Sequence, residues 1–172
     1  PGETVEGAVA RELMEEAGLE AARSDLFIHQ TCIVTPTPRS HSESVERALA
    51  FWESLGCVML QLGVEEHDYA VARISHLPRL AASVITQTAL KVKPDCVHAI
   101  GNGFRDTTRV ASGDPSLWTG IVMQNHEEVL SAVKEASLGF QRLVEILESK
   151  DEARLQDFLV DAKKLRDLVS PR

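Results

Sequence analysis

The sequence predicts a mostly α-helical protein in three parts: an N-terminal amphipathic helix, a short βαβ unit and a C-terminal helical bundle that pairs with a second copy of itself. Three observations predict it. From Gly63 onward, apolar residues recur three and four positions apart, the period of a buried helix face. Only residues 31–35 and 57–62 form short apolar runs of the kind that make strands. The stripes on the C-terminal helices also carry more apolar surface than one 172-residue chain can bury, and exposed apolar area beyond a few hundred Å² usually marks an interface.

Taken in order, residues 4–17 place Val5, Ala8, Val9, Leu13 and Met14 at helical spacing, with Thr4 as N-cap and Gly18 as stop. On the opposite face lie Glu12, Glu15 and Glu16, which share one side of a helix and either hold a hard divalent cation or form a solvated acidic surface. Residues 31–35 read as a strand ending at Pro36, and 39–41 as a polar loop. Residues 42–55 form a helix with Val45, Ala48, Leu49, Trp52 and Leu55 on one face, closed by Gly56, and 57–62 form the second strand. Strand, helix, strand at this spacing is one parallel crossover.

Residues 64–90 read as one long helix carrying Ala70, Val71, Ile74, Leu77, Leu80, Ala81, Val84 and Ile85 in register, kinked near its middle by Pro78. Residues 91–97 read as a loop. Asp114 caps a helix that starts at Pro115 and turns Leu117, Trp118, Ile121 and Val122 inward. Asn125 and Glu128 make a capping box for a helix reaching about Ser149, and 151–169 make the last one.

Composition narrows the function classes. Hydrophobic residues make up 44% and charged residues 26%, an ordinary globular balance, and the net charge of -8 disfavours nucleic acid, whose phosphates call for a basic face. The three cysteines, Cys32, Cys57 and Cys96, form no CxxC pair, which predicts a reducing, cytoplasmic setting rather than a disulfide framework or zinc site. No apolar run approaches the roughly 18 residues of a membrane span, and no signal-peptide pattern opens the chain.

The polar stretch 102–115, Asn-Gly-Phe-Arg-Asp-Thr-Thr-Arg-Val-Ala-Ser-Gly-Asp-Pro, stands out between helical segments. Arg105 and Arg109 lie four apart, so one or two helical turns put both guanidiniums on one face beside Thr107 and Thr108. Such a face can grip a carboxylate through a bidentate fork. The plainer alternative makes Arg105 and Asp106 surface charges and Arg109 a structural salt bridge. Of the two arginines, Arg109 adjoins Val110 and Ala111 and is expected to be the less solvated.

Gly103 to Arg109, followed by Ser112-Gly113-Asp114-Pro115 and Trp118, resembles the signature of the prephenate and arogenate dehydrogenases of tyrosine biosynthesis. Glu66-His67-Asp68 with Ser75-His76-Leu77-Pro78, and Asp25-Leu26-Phe27 with Ile33-Val34-Thr35-Pro36, resemble further blocks of the same family, so the likeness covers about residues 18–172. It implies that 24–62 is a βαβ remnant of a Rossmann-type domain and that 63–172 is a helical substrate and dimerisation domain. It also implies oxidative decarboxylation of a small carboxylate substrate with NAD or NADP, a homodimer, and a pocket lined by Ser75 and His76, with Arg105 and Arg109 on the substrate. At Arg79 this chain departs from the histidine that the family carries. Without the resemblance, His76 reads as a core histidine.

No glycine-rich turn follows a strand, since Gly101-Asn102-Gly103 has Asp106 where a third glycine would fall, and the family's catalytic histidine finds no counterpart. The sequence therefore predicts a chain that does not turn over prephenate or arogenate by itself. Residues 1–19, with Gly2-Glu3 and then Arg11-Glu12-Leu13-Met14-Glu15-Glu16-Ala17-Gly18-Leu19, are similar to a Nudix box, which makes 1–23 a separate acidic segment. That similarity implies magnesium at Glu12, Glu15 and Glu16, and hydrolysis of a nucleoside-diphosphate-linked substrate, as a second reading. A non-catalytic helical dimerisation module is the third.

Overall fold

The computed structural model describes residues 25–92 and 94–169; the acidic helix expected over 4–17 lies outside them. The chain divides into two compact units between Asp68 and Tyr69.

In the first unit, β1 (Thr31–Val34) and β2 (Val58–Gln61) pair in parallel, with Thr31 opposite Val58 and Val34 opposite Gln61. Between them runs α1 (Ser42–Ser54). Trp52 on α1 meets Phe27 edge-to-face, with ring centroids 5.6 Å apart, which fixes the helix over the start of the unit. Gly56 ends the connection at φ 85°, and a Cβ there would come within 3.3 Å of the Ile28 backbone, so both conformation and space require glycine. The parallel crossover is therefore as the sequence predicts. Each strand is trimmed by a residue or so at its ends, where fraying makes boundaries soft.

α2 (Val64–Val71) leads into a π-helical turn (Ala72–His76) and then α3 (Leu77–Ala89). The single kinked helix expected over 64–90 is thus three segments, and the reason is local. Pro78 has no N–H to give to the preceding turn, and the Leu77 N–H bonds Ala72 O, one residue further back than in an α-helix. A 3-10 turn (Pro94–Ala99) replaces most of the loop expected over 91–97.

The polar stretch forms α4 (Asn102–Thr108) and a 3-10 turn (Arg109–Ser112). Asp114 caps α5 (Pro115–Gln124), its carboxylate accepting from the Leu117 N–H at 2.8 Å. Within α5, Leu117 faces outward, against expectation, while Trp118 turns in. α6 (His126–Ser149) starts after Asn125, whose side chain does not cap it, so the predicted capping box does not form. Asp151 caps α7 (Glu152–Asp167), accepting from the Arg154 N–H at 3.0 Å.

The buried core of the second unit is built from Ala72, Ala82, Val129, Ala132 and Ile146. Small residues at the crossing points let the π turn, α3 and α6 approach closely.

Candidate functional site

The π turn and α3 carry two polar side chains into the second unit. His76 and Arg79 lie three residues apart on one helix face, and only 8% and 6% of their surface stays exposed. Trp118, set by the capped start of α5, meets both. Its ring stands edge-to-face to His76 at 6.2 Å, and the Arg79 guanidinium carbon sits 5.1 Å from its centroid. Arg79 Nη2 donates to Gly113 O at 2.7 Å, whereas Nη1 is shielded from solvent and has no hydrogen-bond partner.

Gly113 makes this seat possible. A Cβ there would lie 3.1 Å from Arg79 Nη1 and 2.8 Å from Trp118 Nε1. Beside the guanidinium opens a cavity of about 410 Å³, walled by Arg79, Trp118 and Leu80 with Ser83, Gln87 and Thr119 as polar lining.

The residues singled out in the sequence are not brought together in this way. His76 is inside, but Ser75, Arg105 and Arg109 are all exposed. Both arginines of the polar stretch thus stand at the surface, Arg109 included, despite its apolar neighbours in the chain. The inward position in that stretch goes to Thr108, whose hydroxyl donates to Phe104 O at 2.6 Å. Among the described residues neither arginine forms an ion pair, Arg105 with Asp106 included. Sequence reasoning noticed Arg79 only as a departure from a family pattern. Nothing in the local sequence marks Arg79 for burial, since a cation beside an apolar stripe ordinarily extends its head to solvent.

A second polar cluster ties the π turn to α6. Arg73 lies over the Tyr69 ring at 3.7 Å, and its Nη1 and Nη2 donate to Glu128 Oε2 at 3.1 Å and Glu135 Oε1 at 2.7 Å. The Arg73 hydrogen bond holds the Glu135 carboxyl below its ordinary range. Burial, and then the neighbouring Cys57, raise the Cys32 thiol, which keeps it protonated and unsuited to nucleophilic work. Among the described residues no cluster of His, Cys, Asp and Glu could hold a metal, and no helix is long and apolar enough to cross a membrane. Glu12, Glu15 and Glu16 lie outside the described residues.

The family described as "Prephenate dehydrogenase, dimerization domain" matches residues 63–161, more than half of the chain. The chain belongs to this prephenate dehydrogenase dimerization-domain family. The match contains the whole His76, Arg79 and Trp118 cluster and the Arg105 and Arg109 pair. A prephenate dehydrogenase of Bacillus subtilis is 29% identical over 155 residues, 88% of this chain and 42% of that protein.

Among solved structures, the prephenate dehydrogenase of A. aeolicus in complex with hydroxyphenyl propionate and NAD+ superposes with a TM-score of 0.79 at 28% identity, covering 88% of this chain and 54% of that one. The arogenate dehydrogenase of Synechocystis gives 0.74 at 26% identity, covering 83% and 53%. The chain thus spans about half the length of the relatives it matches. The similarity of residues 1–19 to a Nudix box finds no support in these comparisons.

Proposed function

We propose that the chain supplies the substrate-side, self-pairing part of an enzyme of prephenate or arogenate dehydrogenase type, which oxidatively decarboxylates a small carboxylate substrate. The observation that carries this reading is the family match over 63–161, which takes in the dimerization domain for which the family is named together with every candidate polar residue of the second unit. Arg105 and Arg109, exposed and without ion-pair partners among the described residues, are available to a substrate carboxylate. Ser75, exposed on the π turn, offers a hydroxyl, and the next residue, His76, packs against Trp118. π-helical turns of this kind recur at functional sites because they redirect side chains out of the regular helical register.

NAD or NADP, when bound, accepts the hydride. The described residues do not fit its pyrophosphate. The turn after β1 runs through Pro36 and Pro38, and after β2 the Gly63 N–H is already taken by Glu66 Oε2 at 3.0 Å. A carboxylate at that helix start opposes a phosphate where a glycine-rich turn would welcome one.

The family also supports a homodimer, and the geometry of α6 agrees. Val133, Phe140, Val144 and Leu147 share one face of that helix and all are exposed in the single chain.

Calorimetric titration of prephenate and arogenate into the purified chain tests the reading. Binding of one of them, weakened by Arg109→Ala, is the expected result, and no binding of either would refute it. Steady formation of NADH or NADPH by the same chain would overturn the statement about the nicotinamide.

A further inference from the structure

We infer that Arg73 is a positioning residue: by clamping the π turn to α6 it sets where Ser75 and His76 stand, and through them how tightly the chain holds its substrate. This role rests on Ser75 and His76 being pocket residues, as proposed above. The Arg73 guanidinium is held from several directions within the second unit. Nη1 donates to Glu128 Oε2 at 3.1 Å and to Tyr69 O at 3.3 Å, and Nη2 donates to Glu135 Oε1 at 2.7 Å. The Tyr69 ring lies 3.7 Å from the guanidinium carbon, and the Ser131 hydroxyl donates to the same Glu135 oxygen at 3.3 Å. Glu128 and Glu135 are seven residues apart, two turns along one strip of α6. A planar fork with donors at both ends suits that spacing, whereas a lysine brings a single point charge.

Stability alone does not account for the cluster. The Glu128 and Glu135 side chains keep 39% and 59% of their surface in solvent, and ion pairs so open contribute little to folding. Against that small gain, Arg73 Nε is shielded from solvent and has no hydrogen-bond partner among the described residues, which is unfavourable.

What the arrangement does fix is orientation. The π turn is five residues long, and its side chains diverge. Arg73 reaches α6, His76 packs edge-to-face on Trp118 of α5, and Ser75 between them is exposed. A π turn is a rare departure from the α-helical register. Loosening the clamp lets the turn relax toward that register, which carries Ser75 and His76 by up to about 100° around the helix axis. Ala72, fully buried, and Arg73, tied to two carboxylates, resist that rotation at the first two residues of the turn.

The test reads affinity and geometry separately. Prephenate and arogenate are titrated calorimetrically into the full chain, into Arg73→Met and Arg73→Lys, into a double variant carrying Glu128→Gln and Glu135→Gln, and into that double variant with Arg73→Met added. In the same samples the indole N–H resonance of Trp118, told apart from that of Trp52 by Trp52→Phe, reports whether His76 has moved. The expected result is a loss of about 10-fold for the better ligand in Arg73→Met, with smaller losses in Arg73→Lys and in the double variant. The Trp118 resonance should be displaced wherever affinity falls. Adding Arg73→Met to the double variant should cost less than about threefold, because Arg73 acts through the two carboxylates. Unchanged affinity in Arg73→Met, a fall in affinity with an unmoved resonance, or an equal loss in the glutamine background would overturn the proposal. Should the parent chain bind neither acid, the dehydrogenase reading fails and the resonance alone decides whether Arg73 sets His76: a displaced signal in Arg73→Met supports it and an unmoved one overturns it. Should Arg73→Met fail to fold, the double variant, altered only at two carboxylates in contact with solvent, carries the same test, and full affinity in it would overturn the proposal.

Discussion

Arg79 and Arg109 show how little a residue's type says about its energetic role. Both are arginines within the matched region, yet one is buried and incompletely satisfied while the other stands in solvent. Their expected effects on stability follow from that difference. Arg109→Ala and Arg105→Ala should each change the unfolding free energy by less than about 0.5 kcal/mol, as surface substitutions do. Arg79→Met removes a buried charge that no carboxylate offsets, and a thioether of similar length fills the same space, so stability should stay within about 1 kcal/mol of the parent or rise. A loss above about 2 kcal/mol in denaturant unfolding would show that the guanidinium is held for structure.

Glu135 gives a pH dependence at the same scale. Its carboxyl is held below the usual range by Arg73, so the folded state favours the ionised form more than the unfolded state does. The resulting stability is fully present above the unfolded-state value near 4.5 and is lost as pH falls through the lower folded-state value. Glu135→Gln should therefore differ from the parent at pH 6 and converge on it in acid, which thermal unfolding from pH 6 down to 3 would reveal. Because the group is exposed, the difference should be small and fade in salt.

Among the elements, α5 carries the most local responsibility, since its start sets the position of Trp118 against His76 and Arg79. The Asp114 carboxylate on the Leu117 N–H holds that start. Asp114→Ala should cost about 1 kcal/mol of stability, the usual worth of an N-cap, and Asp114→Asn should recover most of it. Unfolding of the two variants side by side separates the loss of a cap from loss of charge. The π turn is the other decisive element. A straight α-helix through 72–76 would rotate every later side chain by one position, about 100°, and carry His76 and Arg79 onto different surfaces.

For the molecule as a whole, the thin core of the second unit contrasts with the apolar face of α6. Phe140, Val144 and Leu147 are more than half exposed in a single chain. Such a contiguous face is expected to be covered by a second copy. Sedimentation at micromolar concentration should report a dimer, and Phe140→Glu should shift it to monomer while leaving far-ultraviolet circular dichroism unchanged. A parent chain that sediments as a monomer would count against pairing through this face.

The sequence by itself determined most of the longer elements, though not the π turn that divides 64–90 or the 3-10 turn after it. The spacing of apolar residues set α1, α6 and α7 close to their observed limits, β-branched runs set the two parallel strands, and Asp114 with Pro115 announced α5. These are consequences of bonds and contacts within a few residues, which a linear pattern encodes directly. Tertiary structure alone decided which polar side chains went inside. Arg109 has apolar neighbours in the chain and is exposed, whereas Arg79 is buried because α5 and the turn before it, far along the sequence, bring Trp118 and Gly113 over it. The same holds for the capping box at Asn125, which the motif predicts and the chain does not form. Burial depends on what arrives from elsewhere, and no spacing rule along one segment contains that information.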